Sequence, residues 1–120
     1  MKSADRKRLE KKLDTVWSEK VRAKGYCEHC GARDKTLQAH HLYSRKHKGT
    51  RWLLDNGVCL CVGCHLYIAH KDILLFADWC RQYYGDDKLE RLKIKALGVS
   101  KWTESDLVIL LNELKSADRR

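Results

Sequence analysis

Apolar residues recur at helical spacing near the start of the chain. Leu9, Leu13, Val16, Trp17 and Val21 form one stripe over residues 5–24, the opposite face is dense in lysine and arginine, and Gly25 stands where such a helix ends. The pattern then shortens. Residues 37–41 read as a short strand, and Asn56-Gly57 reads as a turn into a second strand within "NGVCLC". Helical spacing resumes near Gly63 or Cys64, in a segment that carries His65. It continues from Asp72 to Tyr84, with Ile73, Phe76, Trp79, Cys80 and Tyr83 inward and Gly85 as the stop. "DDKLERLKIKALG" is a third, more charged helix. In "TESDLVILLNEL", Leu107, Leu110, Leu111 and Leu114 share a stripe behind a Thr103 N-cap, with Asp106 at the capping-box position. These stripes are read as core.

The order of elements predicts an α+β fold, mainly helical. It is read as one domain over residues 1–120: a basic N-terminal helix at 1–25, a central segment at 26–70 and C-terminal helices at 71–120. There is no proline and no low-complexity stretch. "KSADR" occurs at residues 2–6 and again at 115–119, too short for a structural repeat.

Charge narrows the partner. Twenty-five Lys and Arg stand against 16 Asp and Glu, a net charge of +9, which favours a polyanion. The excess is dense in residues 42–55, "LYSRKHKGTRWLLD", where Arg45, Lys46, Lys48 and Arg51 precede the first acid, Asp55. Arg45 and Arg51 are candidates to clamp a phosphate, because guanidinium pairs with phosphate oxygens in a fork; a solvated surface is the alternative. The N-terminal lysine face suits contact with a nucleic-acid backbone better than base reading. No apolar run approaches membrane-spanning length, and the charged start does not read as a signal peptide, so an intracellular, cytoplasmic protein is expected.

Four of the six cysteines fall in two C-x-x-C pairs, Cys27/Cys30 and Cys61/Cys64. In a reducing compartment two such knuckles read as one tetrahedral zinc site, since thiolates are soft ligands and a tight turn brings both sulfurs to one ion. Gly31 and Gly63 suit those turns. Cys59 and Cys80 remain; Cys59 is a competing ligand if it shares a strand face with Cys61, and otherwise both are buried small apolar residues. His29, inside the first knuckle, reads as a solvated turn residue, and His47 as a phosphate neighbour or an exposed side chain.

Adjacent His40 and His41 would point to opposite faces of a strand. Two strands joined by a basic loop and followed by a helix would let His40 and His65 share a divalent ion. His41 would then face the groove beside it, and Asn56 would hold the loop by hydrogen bonds. That assembly suits phosphodiester hydrolysis: a metal neutralises phosphate and leaving oxygen, and a neutral imidazole takes a proton from water.

"AHHL…N…LCVGCH" resembles the HNH motif of the ββα-metal, or His-Me finger, nucleases, in the subgroup with paired C-x-x-C knuckles. The resemblance covers residues 27–70 and implies a ββα-metal core with a structural Zn²⁺ and a catalytic divalent metal (Mn²⁺, Ni²⁺, Co²⁺, Zn²⁺ or Mg²⁺). It implies His41 as general base, His40 and His65 as metal ligands and Asn56 as the central asparagine. In the colicin type a helical histidine four residues on completes the site; here that position is Ala69. His70, one later, is the candidate third ligand, with solvent or phosphate the alternative. "HHLYSR", "TRW" and "FADWCRQYYGDDKLERL" are similar to phage recombination nucleases of the Rap/NinG type, which implies phage DNA recombination or processing in a bacterial host cell. Two other classes fit the same residues: a zinc-stapled DNA-binding module without catalysis, and a protein-interaction domain of zinc-finger type.

Overall fold

The computed structural model describes residues 3–117, so both copies of "KSADR" run past the described residues. Helix α1, Ala4–Arg22, is capped by Ser3, whose hydroxyl accepts from the Arg6 amide. It buries Leu13, Trp17 and Val21 as the stripe requires, and also Glu10, which no hydrophobic pattern shows. Strands β1, Leu37–His41, and β2, Gly57–Cys61, pair antiparallel, with Ala39 opposite Cys59 and His41 opposite Gly57. The fold is α+β and mainly helical, as expected.

All five residues of β2 are buried, because helices cover both faces of this two-stranded sheet. On one face α1, α4 (Glu104–Ser116) and β2 close a core of Leu13, Trp17, Cys59, Leu107 and Leu111. On the other, Val58 and Leu60 pack with Cys27, Ala69, Phe76 and Cys80. From Val58 to Leu60, alternate β2 side chains therefore serve two cores, as the pleat demands, and Cys61 at the strand end joins the second. The capping box at α4 is complete: Asp106 N donates to Thr103 Oγ1, and Thr103 N to Asp106 Oδ2.

Leu54–Asn56 forms one 3₁₀ turn that leads straight into β2, as the Asn-Gly signal implies, with Gly57 already extended at φ −108°. Glycine is needed at 57 for close approach: a Cβ there would stand 2.4 Å from Val21 Cγ2 and 2.9 Å from Trp17 Cζ2. Two local expectations change. The segment carrying His65 is a widened π-helix over Cys64–Ala69. Helix α2, Ile73–Tyr84, buries Phe76 and Cys80, but Ile73, at the rim of an open cavity, is 66 % exposed and Tyr83 43 %, so neither is core. Helix α3, Asp86–Leu97, buries Leu92 and Ala96.

Gly57→Ala should destabilise the zinc-loaded chain by about 1–3 kcal/mol in denaturant unfolding, the usual range for overpacking. Gly63→Ala, at an ordinary helical φ of −62° with open space around it, should stay within about 0.5 kcal/mol.

Candidate metal centres

The two knuckles meet as expected. The sulfurs of Cys27, Cys30, Cys61 and Cys64 all lie within 4.8 Å of one another. The first knuckle turns at Gly31, whose φ of +80° favours glycine, and closes with Cys27 N donating to Ala32 O. The second leaves the end of β2 directly into the π-helix. In each, the amide of the last cysteine donates to the sulfur of the first: Cys30 N to Cys27 Sγ and Cys64 N to Cys61 Sγ, both at 3.4 Å. Such bonds favour thiolate. Burial raises the Cys27 thiol, but amide and side-chain hydrogen bonds outweigh it and bring it down to about 7. Burial and the other three sulfurs push Cys64 up, so a bound cation is what lets all four ionise together. Four soft donors with oriented amides form a site for a structural metal such as zinc.

Two side chains support this centre that the knuckle spacing does not reveal. His29 is not simply solvated: its Nδ1 lies 3.4 Å from Cys64 Sγ, in place to donate, and its ring meets Trp79 edge-on. Glu28 is buried; its carboxylate accepts from Cys59 N, Lys24 Nζ and Tyr84 OH, tying the knuckle to β2 and α2. Cys59 turns toward α1 and is not among the four sulfurs, and Cys80 is buried with its thiol pushed up to about 11 by burial and Glu28.

The second cluster is histidine. His40, His65 and His70 each bring one ring nitrogen to within 4.8 Å of the others. His65 Nε2 stands 3.1 Å from His40 Nδ1 and 3.0 Å from His70 Nε2. Its Nδ1 lies 2.7 Å from Gln38 Oε1, an acceptor, so Nδ1 carries the proton and the Nε2 lone pair faces the cluster. Burial, then His65, His70 and His41, push His40 down to about 3, which keeps its ring neutral. The π-helix explains His70. In an α-helix of about 3.6 residues per turn, a residue five on lies on the far side. A turn bonded i→i+5 is wider and returns that residue to the same side.

His41 points the other way from the same strand. Its ring stacks on Trp17 with centroids 3.8 Å apart. Nε2 lies 3.0 Å from the Arg51 carbonyl, so Nε2 donates and Nδ1 keeps the lone pair. Burial lowers the His41 pKa, the Arg51 carbonyl opposes it, and Arg45 lowers it further. Asn56 is fully buried and clasps the loop: Oδ1 accepts from Tyr43 N, and Nδ2 donates to Tyr43 O, both at 2.9 Å.

Three of the four loop cations are paired with acids of α1. Arg51 forks onto Asp14, with Nη2–Oδ2 at 2.7 Å and Nε–Oδ1 at 3.0 Å. Arg45 Nη2 reaches Asp14 Oδ2 at 2.9 Å, and Lys48 Nζ reaches Glu10 at 3.1 Å. Lys46 is exposed with no ion pair among the described residues, and His47 is half-buried against Tyr43. An open cavity of about 1250 Å³ lies between β1 with its following loop and helices α2 and α3; His40, His41, His65, His70, Arg45 and Lys46 line it. No described helix is long and apolar enough to cross a membrane.

The chain matches no protein-family model, no curated protein and no solved structure.

Serine in place of Cys27, Cys30, Cys61 or Cys64 should abolish bound zinc and unfold the chain. Structural zinc contributes about 10–16 kcal/mol in small peptides, against a typical domain stability of about 5–15 kcal/mol. Cys59→Ser should keep the metal. Metal analysis with circular dichroism decides; zinc lost from Cys59→Ser and kept by Cys61→Ser would overturn the ligand set.

Proposed function

We propose that this protein is a metal-dependent endonuclease of the HNH, ββα-metal type that hydrolyses DNA phosphodiester bonds. One observation carries the reading. On a single strand, His40 joins His65 and His70 in a cluster of converging nitrogens, while His41, its neighbour, also borders the cavity and keeps a bare Nδ1. A ligand set and a general base are thus side by side but chemically distinct.

The three imidazoles fit a divalent ion of borderline softness, Mn²⁺, Ni²⁺, Co²⁺ or Zn²⁺, better than Mg²⁺, which demands oxygen. When bound, such an ion supplies neutralisation of the scissile phosphate and the leaving oxygen. His41 Nδ1 takes the proton from the attacking water, while Nε2 stays anchored on the Arg51 carbonyl. Asn56 holds the start of the loop through Tyr43, which keeps His41 aimed. Lys46 and Arg45 at the cavity edge contact the phosphate backbone; Arg51 and Lys48, held by α1, act mainly by keeping the loop in shape. Phosphate contacts of this kind make binding salt-dependent and indifferent to base sequence. Recombination or processing of phage DNA is the setting the motif suggests.

Supercoiled plasmid incubated with the full chain should be nicked, faster with Mn²⁺, Ni²⁺ or Co²⁺ than with Mg²⁺. DNA binding without nicking in any of these metals would leave a binding module, and no DNA binding at low salt would leave a protein-interaction domain. His41→Ala should lower the cleavage rate by on the order of 10²–10⁴-fold, with zinc content and DNA affinity kept. His40→Ala should also lose activity, but excess Mn²⁺ should partly restore it. Rescue of His41→Ala in place of His40→Ala would exchange the two roles.

A further inference from the structure

We propose that Asp14 of α1 is a positioning residue for His41, acting through Arg51; the inference rests on the nuclease reading above. The connection is short. His41 Nε2 donates to the Arg51 carbonyl at 3.0 Å, and that bond selects which ring nitrogen stays bare. The peptide bearing this carbonyl belongs to a loop, so something must stop it turning.

Asp14 does this with both oxygens. Oδ1 accepts from Arg51 Nε at 3.0 Å and Trp52 Nε1 at 2.8 Å, and Oδ2 accepts from Arg51 Nη2 at 2.7 Å. Two consecutive residues are thus held by one carboxylate. Trp17, one turn along the same helix, completes the grip: its Nε1 donates to Leu53 O at 2.7 Å while its ring stacks on His41. The loop is fixed on both sides of the Arg51 carbonyl, and the imidazole is packed on its face. Burial works to raise the Asp14 pKa, but Arg51, Trp52 and Arg45 outweigh it and hold the carboxyl below its usual range, so it stays an acceptor.

Asp14 has a second effect that must be separated from the first. It is also a counter-charge for Arg45 and Arg51, so its removal frees Arg45 for DNA and leaves Arg51 to Glu10. A mere counter-charge would alter affinity; a positioning residue alters the imidazole and the turnover. Asp14→Asn keeps the shape and one acceptor oxygen, and Glu10 still faces Arg51 at 3.7 Å.

The test uses the zinc-loaded full chain. Nitrogen-15 shifts of the His41 ring should report protonated Nε2 and bare Nδ1 in the native protein, and a mixture of both tautomers in Asp14→Asn. On DNA, the variant's kcat should fall on the order of 10–10²-fold, with KM unchanged or lower. A native tautomer pattern in Asp14→Asn, or a loss carried by KM with kcat intact, would overturn the proposal. If Asp14→Asn does not hold zinc, Arg51→Lys decides in its place: it keeps the charge, loses the fork, and should give the same ring pattern and the same fall in kcat. A native chain with the expected His41 pattern that cleaves no DNA would sink the nuclease reading while leaving the clamp standing.

Discussion

Everything distinctive in this molecule depends on the register between β1 and β2. Successive strand residues face opposite ways, so a slip of one residue would send His40 to Trp17 and His41 to the histidine cluster. A two-stranded ladder is too short to hold its register unaided. Here it is held at both ends. Cys61 closes one end in the thiolate cluster, opposite Leu37, and Gly57 closes the other beneath Val21 and Trp17, opposite His41. A side chain at 57 could not enter that space. The metal knuckle and the glycine contact thus act on the same variable from opposite ends of the sheet.

Charge is organised around the same strand. Read along the chain, residues 42–55 are a run of cations awaiting a polyanion. In the fold, Glu10 and Asp14 lie across from them and take Lys48, Arg51 and one arm of Arg45. The face offered outward is less positive than the linear sequence suggests. The Arg45 pair is exposed, but those of Lys48 and Arg51 are largely buried and give the loop a fixed shape more than they add stability, since bringing charges out of water offsets much of their attraction.

Much of this was legible because it is local. The knuckles, the alternation of His40 and His41, the Thr103–Asp106 box and the stripe of α1 each follow from spacing within a few residues. What was not legible depends on distant partners. Glu10 is buried through the loop residues Lys48 and Arg51, far from it in the chain. His29 and Gln38 carry no spacing signal, yet each meets a candidate ligand, Cys64 or His65. Ile73 fits a helical stripe but emerges into solvent, because periodicity marks a face and not whether anything covers it. His70 sat one position away from the interval an α-helix would need.

That one position has a wider meaning. A π-turn can be regarded as an α-helix that has taken in a single extra residue without losing its course. Within Cys64–Ala69 the insertion is absorbed by pitch, and the imidazoles of His65 and His70 still converge. Deleting one residue between them would tighten the helix and yield the four-residue interval instead, a different string of letters with the same meeting point. Sequence distance and spatial distance are therefore exchanged through helix pitch at this place. A search that fixes the interval between histidines will pass over this arrangement, whereas one that lets the interval vary with the local winding will find it.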